Sequence, residues 1–282
     1  MSPATQRVRT IWISDFHLGT RYARARDLID FLAHYESDYL YLVGDIVDGW
    51  ALSRSWYWTQ DQNDVIQKIL RRARKGTEVT YIPGNHDDFA RDYVGMQFGR
   101  VIVRHQAYHD LLDGRRFLIV HGDEFDGIIR YTKWLQKLGA VAYGIALALN
   151  GVFNIIRSWM GRPYWSLSAY LKQRTKKALQ YIDDFEKLVA EKAHQEQVDG
   201  VVCGHIHHAD ERMIDGIHYL NCGDWVESCT ALIEYTDGRL ELVDWTKRQA
   251  PAPLELFTRG DGLPGHEPAW NVTTEPLAKS AD

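Results

Sequence analysis

The 282-residue chain predicts an α/β layered fold, and three observations carry that prediction. Short apolar, β-rich runs recur, each ending in Gly, Asp, Asn or His: VRTIWISDFH, DYLYLVGD, EVTYIPGNHDD, RRFLIVHGD, DGVVCGHIHH and IHYLNCGDW. Helical patterns over residues 22–36 and 60–75 separate the first three runs, and the second closes on Lys75-Gly76, as helices do. Strands that alternate with helices and end in polar loops put a ligand site at one edge of a sheet.

Taken in order, each run reads as a buried strand that delivers polar residues into the loop at its C-terminal end. Beyond residue 210 the pattern changes, and SCTALIEYTDGRLELVDW gives two alternating strands around Asp237-Gly238, a β-hairpin. The last 34 residues hold five of the eight prolines and no periodicity, so 249–282 is expected to be an extended or partly disordered tail. No repeat of solenoid period is present.

At 45% hydrophobic and 25% charged, the composition is that of a globular protein, with length for one large domain plus an insertion or for two modest ones. The net charge of −5 gives no hint of general nucleic-acid binding, although one region departs sharply from that average. Cys203, Cys222 and Cys229 are an odd count at unpatterned spacing and read as buried thiols of a reducing compartment. The opening MSPATQRVRTIWISD has too short an apolar run for a signal peptide, so a cytoplasmic location is expected.

The chemistry-bearing residues fall at the strand ends: Asp15 and His17, Asp45, Asn85 and His86, His121, and His205 with His207. Residues i and i+2 of an extended segment share a face, which would make Asp15 with His17, and His205 with His207, chelating pairs. Imidazole and carboxylate without cysteine favour zinc, manganese or iron over a thiolate site. Asp15, His17, Asp45, Asn85, His121, His205 and His207 are enough for two metals about 3.5–4 Å apart, with one carboxylate as bridge. A lone histidine after a strand is more often a hydrogen-bonded structural residue; five such elements in sequence order favour the metal site.

The set SDFHLG, GDIVDG, GNHDD, HGDEFD and GHIHH resembles the signature of the calcineurin-like metallophosphoesterase superfamily. The resemblance implies a four-layer αββα sandwich with a dinuclear centre at its edge. By that likeness, Asp15, His17, Asp45 and His207 would hold one divalent ion, and Asp45, Asn85, His121 and His205 the other, with manganese the expected metal. His86 with Asp87 matches the family's His-Asp pair beside the metals and is the candidate catalytic pair, steadying or protonating the phosphate and leaving group. The plainer role for His86 is to orient a neighbour.

Residues 127–182 contain no Asp or Glu and nine basic residues, so this segment carries +9 and the remainder −14. Within it LGAVAYGIALALNGVFNII, residues 138–156, runs nineteen positions without a charge. As a helix it would be about 28 Å long, close to a bilayer core. A single crossing would put His121 and His205 on opposite sides of the membrane, which a shared metal site forbids. Either 128–178 is a helical hairpin packed on itself, or it is a lid with an apolar lining, flanked by basic residues and by Trp134, Tyr143, Trp159, Tyr164 and Trp165. The one-sided charge favours the lid.

An apolar, basic insertion between the HGD and GHxH motifs resembles the UDP-2,3-diacylglucosamine pyrophosphohydrolases of lipid A synthesis. GDIVDGW with Trp50, and NCGDWVES with Asp224 and Trp225, are similar to that family as well. The likeness implies a helical cap that receives acyl chains, cleavage of a lipid-nucleotide pyrophosphate to UMP and a sugar 1-phosphate, and a peripheral place on the inner face of the cell membrane. His86 departs from it, since the best-known members carry Arg there. Arg54, Arg157, Lys172, Arg174 and Lys176 are candidates to meet substrate phosphate or sugar, the alternative being a solvated basic face. The expected organisation is a core of 1–126 and 180–248, a cap of 127–179 and the tail. The competing functions are a phosphoesterase for another lipid-linked or nucleotide ester or a phosphoprotein, and a non-catalytic scaffold, which the filled ligand positions disfavour.

Overall fold

The computed structural model describes residues 5–126 and 167–247, the side chains of 167–180 excepted. The chain starts as expected, with β1 (Gln6–Ile13) running parallel to β2 (Tyr35–Val43) and β3 (Glu78–Ile82). Helix α1 (Ala25–His34) joins the first pair. Helices α2 (Gly49–Arg54) and α3 (Gln60–Lys75) join the second. Beyond them come β4 (Gln97–Phe98), β5 (Val101–Val103), β6 (Ala107–Asp110) and β7 (Arg116–Ile119). Helix α4 (Leu167–Gln195) is followed by β8 (Gly200–Cys203), β9 (Asp210–Ile214), β10 (Ile217–Asn221), β11 (Thr230–Glu234) and β12 (Leu240–Asp244).

The strands form two sheets, one ordered β12-β11-β1-β2-β3-β5-β4 and the other β6-β7-β8-β10-β9. Trp12, Tyr41, Val43 and Ile82 of the first sheet pack on Phe117, Ile119, Val202 and Leu220 of the second in one buried cluster. The outer face of the first sheet is covered by Leu28, Phe31 and Leu32 of α1 and Val65 and Ile69 of α3. That of the second is covered by Phe185, Val189, Ala190 and Ala193 of α4, spaced as one helical face. Helix, sheet, sheet and helix are therefore stacked in the four expected layers.

Local chemistry sets the helix ends. Thr59 caps α3 by accepting from the Gln62 N–H at 3.3 Å, and Gly76 closes it with φ +118°. The buried Arg72 guanidinium donates to the carbonyls of Leu32 and Tyr35, satisfying the end of α1 from a neighbouring helix.

The structure departs from the sequence reading at identifiable places. The first helix does not reach residue 36, because Tyr35 and Ser37 turn inward while Glu36 and Asp38 stay exposed; this period of two starts β2 directly. The strands β4, β5, β6 and β9 have no extended apolar run to announce them, and β9 is an edge strand with no buried residue. Helix α4 runs unbroken through the anticipated boundary at 179/180. The 138–156 run, the aromatic residues from Trp134 to Trp165, Arg157 and the tail lie outside the described residues. No helix among the described residues is long and apolar enough to cross a membrane. Cys203, Cys222 and Cys229 are buried and free, as expected.

If the contact between the sheets is the main core, Leu220→Ala should cost about 2–5 kcal/mol in urea unfolding of the full chain. A loss below about 0.5 kcal/mol, the range of an ordinary surface substitution, would mean that the sheets do not pack as described.

Candidate metal centre

The loops that follow the parallel strands continue the sheet order past the strand ends. Asp15 N donates to Gly44 O at 3.0 Å, His17 N to Asp45 O at 2.9 Å and Gly204 N to His121 O at 3.1 Å, so residues far apart in sequence meet at one edge. Each loop is then bent by an uncommon backbone choice. Asp15, His17, Asp45, His205 and His207 all have φ between 48° and 72°. The i, i+2 pairs are thus not extended, and the pleat argument used on the sequence is replaced by left-handed turns. A side chain in that region costs about 1–2 kcal/mol, and Asp and His are among the residues found there most often. Five of the seven ligand-type residues therefore sit in conformations that the surrounding packing must impose.

The result is three overlapping groups of donor atoms among the described residues, of which His17, Asp45 and His86 form the middle one and link the other two. Asp15, His17 and His207 form one outer group, and Asp45, His121 and His205 the other; His205 and His207, two residues apart, turn into different groups. Asp45 lies between them, with Oδ2 3.8 Å from His17 Nε2 and 3.5 Å from His121 Nε2. His207 Nε2 stands 3.2 Å from Asp15 Oδ1. Asp15, His17, Asp45 and His121 are all buried. Asp15 Oδ1, Asn85 Oδ1 and His121 Nε2 are out of reach of water and without a well-aligned hydrogen-bond partner among the described residues. Buried polar atoms left open in this way, beside the grouped carboxylates and imidazoles, are what a divalent cation satisfies, so the residues fit such an ion.

Two glycines make room for the approach. A Cβ built on Gly84 would lie 2.5 Å from His121 Nε2, and one on Gly44, whose φ is +78°, would overlap the His121 ring.

The electrostatics agree with cation binding. Burial pushes the Asp45 carboxyl up, but the neighbouring His121, His17 and His86 outweigh it and hold the group well below the carboxylate range. Burial drags His121 down, yet Asp45 and Asp15 raise it to about 10, so without metal this imidazole carries a proton. Burial and the His121 charge depress His205 to about 3, leaving it neutral as a ligand should be.

His86 and Asp87 part company in the structure. Asp87 is fully buried and accepts from Gly84 N at 2.6 Å, Ile46 N at 2.7 Å and the Tyr81 hydroxyl at 2.5 Å. It ties the loops after β2 and β3 together, and its expected place as partner of His86 is taken by another carboxylate. Asp48 Oδ2 is 3.0 Å from His86 Nδ1 and 3.2 Å from His17 Nδ1, and Asp48 also caps α2 by accepting from Ala51 N. Burial lowers His86, but Asp48 and Asp45 outweigh it, and the net shift is upward. The half-exposed Trp50 ring lies 4.3 Å from the His86 ring.

A family model described as calcineurin-like phosphoesterase matches residues 8–209, which includes every one of these ligand positions. The chain belongs to that family. As a calcineurin-like phosphoesterase it is a metal-dependent phosphoester hydrolase. It is similar to a UDP-2,3-diacylglucosamine hydrolase of Porphyromonas gingivalis, 23% identical over 78% of this chain and 91% of that protein. It is similar to the DNA polymerase II small subunit of Pyrococcus abyssi, 26% identical over 47% of this chain and 26% of that one. Among solved structures, the E. coli phosphoesterase Yfce is 14% identical with a TM-score of 0.39, covering 83% of this chain and 98% of that one.

Of the expected substrate contacts in this phosphoesterase, Arg54 ends α2 with an exposed side chain, on the helix that Asp48 caps. Lys172, Arg174 and Lys176 lie on the first half of α4, where the backbone alone is described. Two residues that lie inside the quoted motifs GDIVDG and HGDEFD but were not among the expected site residues prove to touch the site: Asp48, three positions after Asp45, and Asp126, whose Oδ1 is 2.9 Å from His205 Nε2. The signal for Asp48 was present, as an Asp placed where a helix begins.

Two outcomes test this geometry. Gly84→Ala should weaken divalent-metal uptake at least tenfold while the full chain stays folded by circular dichroism; unchanged uptake would contradict the close approach. Because metal must displace the proton on His121, calorimetry near pH 8 in buffers of different ionisation enthalpy should show proton release on metal binding, with affinity falling as pH falls. Uptake without proton release would contradict it.

Proposed function

We propose that this phosphoesterase hydrolyses the pyrophosphate bond of UDP-2,3-diacylglucosamine to UMP and 2,3-diacylglucosamine 1-phosphate, a step of lipid A synthesis, at the inner face of the cell membrane. The observation that carries the reading is the similarity to the Porphyromonas gingivalis hydrolase along 91% of that protein. It is supported by the uncharged run of 138–156, set in a segment of +9, between the strand-end motifs. An acyl chain needs an apolar host, and a pyrophosphate or anionic headgroup is drawn to Lys and Arg. The substrate, the membrane surface and the cap form one proposal, with no nucleic acid involved.

In this reading two divalent ions, manganese foremost, are held by Asp15, His17, Asp45 and His207 and by Asp45, Asn85, His121 and His205. Once bound, they supply a nucleophilic hydroxide near neutral pH and neutralise charge on the phosphoryl oxygens. The chain itself does the rest. Water oxygen joins phosphorus as the bridging P–O bond breaks in line with it. His86 stands at the rim, a quarter exposed, with Nδ1 turned to Asp48, so Nε2 is the nitrogen left to meet a phosphoryl or departing oxygen. Asp48 and Asp45 shift its pKa upward, toward the protonated form a general acid needs. Trp50 covers one face of the ring and limits its rotation.

The His86–Asp48 contact also favours a second reading, hydrolysis of a phosphodiester with an alcohol leaving group. A departing phosphate monoester is stable without a proton, whereas an alkoxide needs one. Purified full-length protein with manganese should release UMP from UDP-2,3-diacylglucosamine, and Asp45→Ala should abolish it. Cleavage of soluble alkyl phosphodiesters with no UMP release would replace the first reading by the second. In that event His86→Ala should lower kcat about 10² to 10⁴ fold with little change in KM.

A further inference from the structure

We propose that Asp126 and Tyr181 are positioning residues that fix the ring of His205, and that they make cation binding at the Asp45, His121 and His205 group depend on the seating of α4. The inference rests on these residues being metal ligands, and its test separates the two ideas.

An imidazole ligand has a second nitrogen, and what that nitrogen faces sets the tautomer and the ring's orientation. The site supplies a partner for the second nitrogen of three of its histidines in turn. His121 Nδ1 faces Val43 O at 2.9 Å and His17 Nδ1 faces Asp48 at 3.2 Å. For His205 the partner is Asp126, 2.9 Å from Nε2. With Nε2 so engaged, Nδ1 is the nitrogen left for the side shared with Asp45 and His121.

Asp126 differs from the other two partners in what holds it. Its Oδ1 also accepts from the Tyr181 hydroxyl at 2.8 Å, and Tyr181 belongs to α4. One turn later on the same helix, the fully buried Phe185 has its ring 5.9 Å from that of His205. Phe185 also closes over Gly122, where a Cβ would lie 2.7 Å from its Cζ. Two residues of one helical face thus bear on His205 and on the residue after His121. The rotation of that face is set by Glu186, buried and ion-paired with Arg212 of the edge strand β9, and by Val189, Ala190 and Ala193 against the second sheet. Among the described residues, no hydrogen bond, ion pair or ring contact joins Asp15, His17 or His207 to α4. The dependence is therefore one-sided: loosening the helix should disturb one group of ligands and spare the other.

The test is a cobalt(II) titration of the metal-free full chain, followed by calorimetry and by the visible absorption of the bound ion. The unaltered protein should take up two ions. Tyr181→Phe, which removes a single hydroxyl, should weaken one of the two binding events and leave the other unchanged. Asp126→Asn should do the same more strongly, by about 10 to 100 fold, and shift the spectrum of the weakened ion. Thr77→Val, which removes a hydroxyl bonded to Ser37 O at the start of β2 and touches neither α4 nor a ligand residue, should change neither event. Equal weakening of both events, or no change with Tyr181→Phe, would overturn the proposal. Failure of the unaltered chain to bind cobalt or manganese would instead sink the metal reading on which it stands.

Discussion

The structure is organised around a crowding of carboxylates and imidazoles that no apolar packing could justify. Asp15, Asp45 and Asp48 lie buried within a few ångströms of His17, His86, His121 and His207, and several of their atoms lack a well-aligned partner. Taking such groups out of water is costly unless something of opposite charge is placed among them. A proton on His121 serves that purpose in part. Divalent cations would serve it better, and that requirement explains why so much of the fold is shaped at this one edge.

The rest follows from bringing distant residues to that edge. Parallel strands in both sheets end there, so five loops meet without any strand having to bend. What the sheets cannot do is aim the side chains, and the left-handed turns at Asp15, His17, Asp45, His205 and His207 do that. Such turns hold only where the loops are pinned. Asp87 pins two of them through backbone N–H groups, and Gly44 and Gly84 let the His121 ring come close. The strain and the absent side chains at the glycines are both consequences of the same need for close approach.

The identity of the ligand residues was legible in the sequence because each of the five elements that carry them stands beside glycine or a small residue at the end of an apolar run. How they converge was not. Residues two apart suggested a shared face of a strand, but positive φ is not written in the identity of Asp or His, and it sends His205 and His207 into separate groups. The partner of His86 was misplaced for a similar reason. Asp87 is adjacent in sequence, while Asp48 is adjacent in space, brought there by the Gly49 N–H donating to His86 O at 2.9 Å. The sandwich itself was readable from its central strands, whose buried runs are long. Edge strands such as β9 escaped because their residues stay exposed and leave no hydrophobic pattern.

Among the described residues, Asp45 is the carboxylate that the groups on either side have in common, so the account stands or falls on its being shared. The most direct measurement is electron paramagnetic resonance of the full chain loaded with two equivalents of manganese(II). A shared carboxylate predicts spectra of two spin-coupled ions, and loss of that coupling in Asp45→Asn. The hyperfine pattern of isolated manganese at full loading of the unaltered chain would contradict the shared centre.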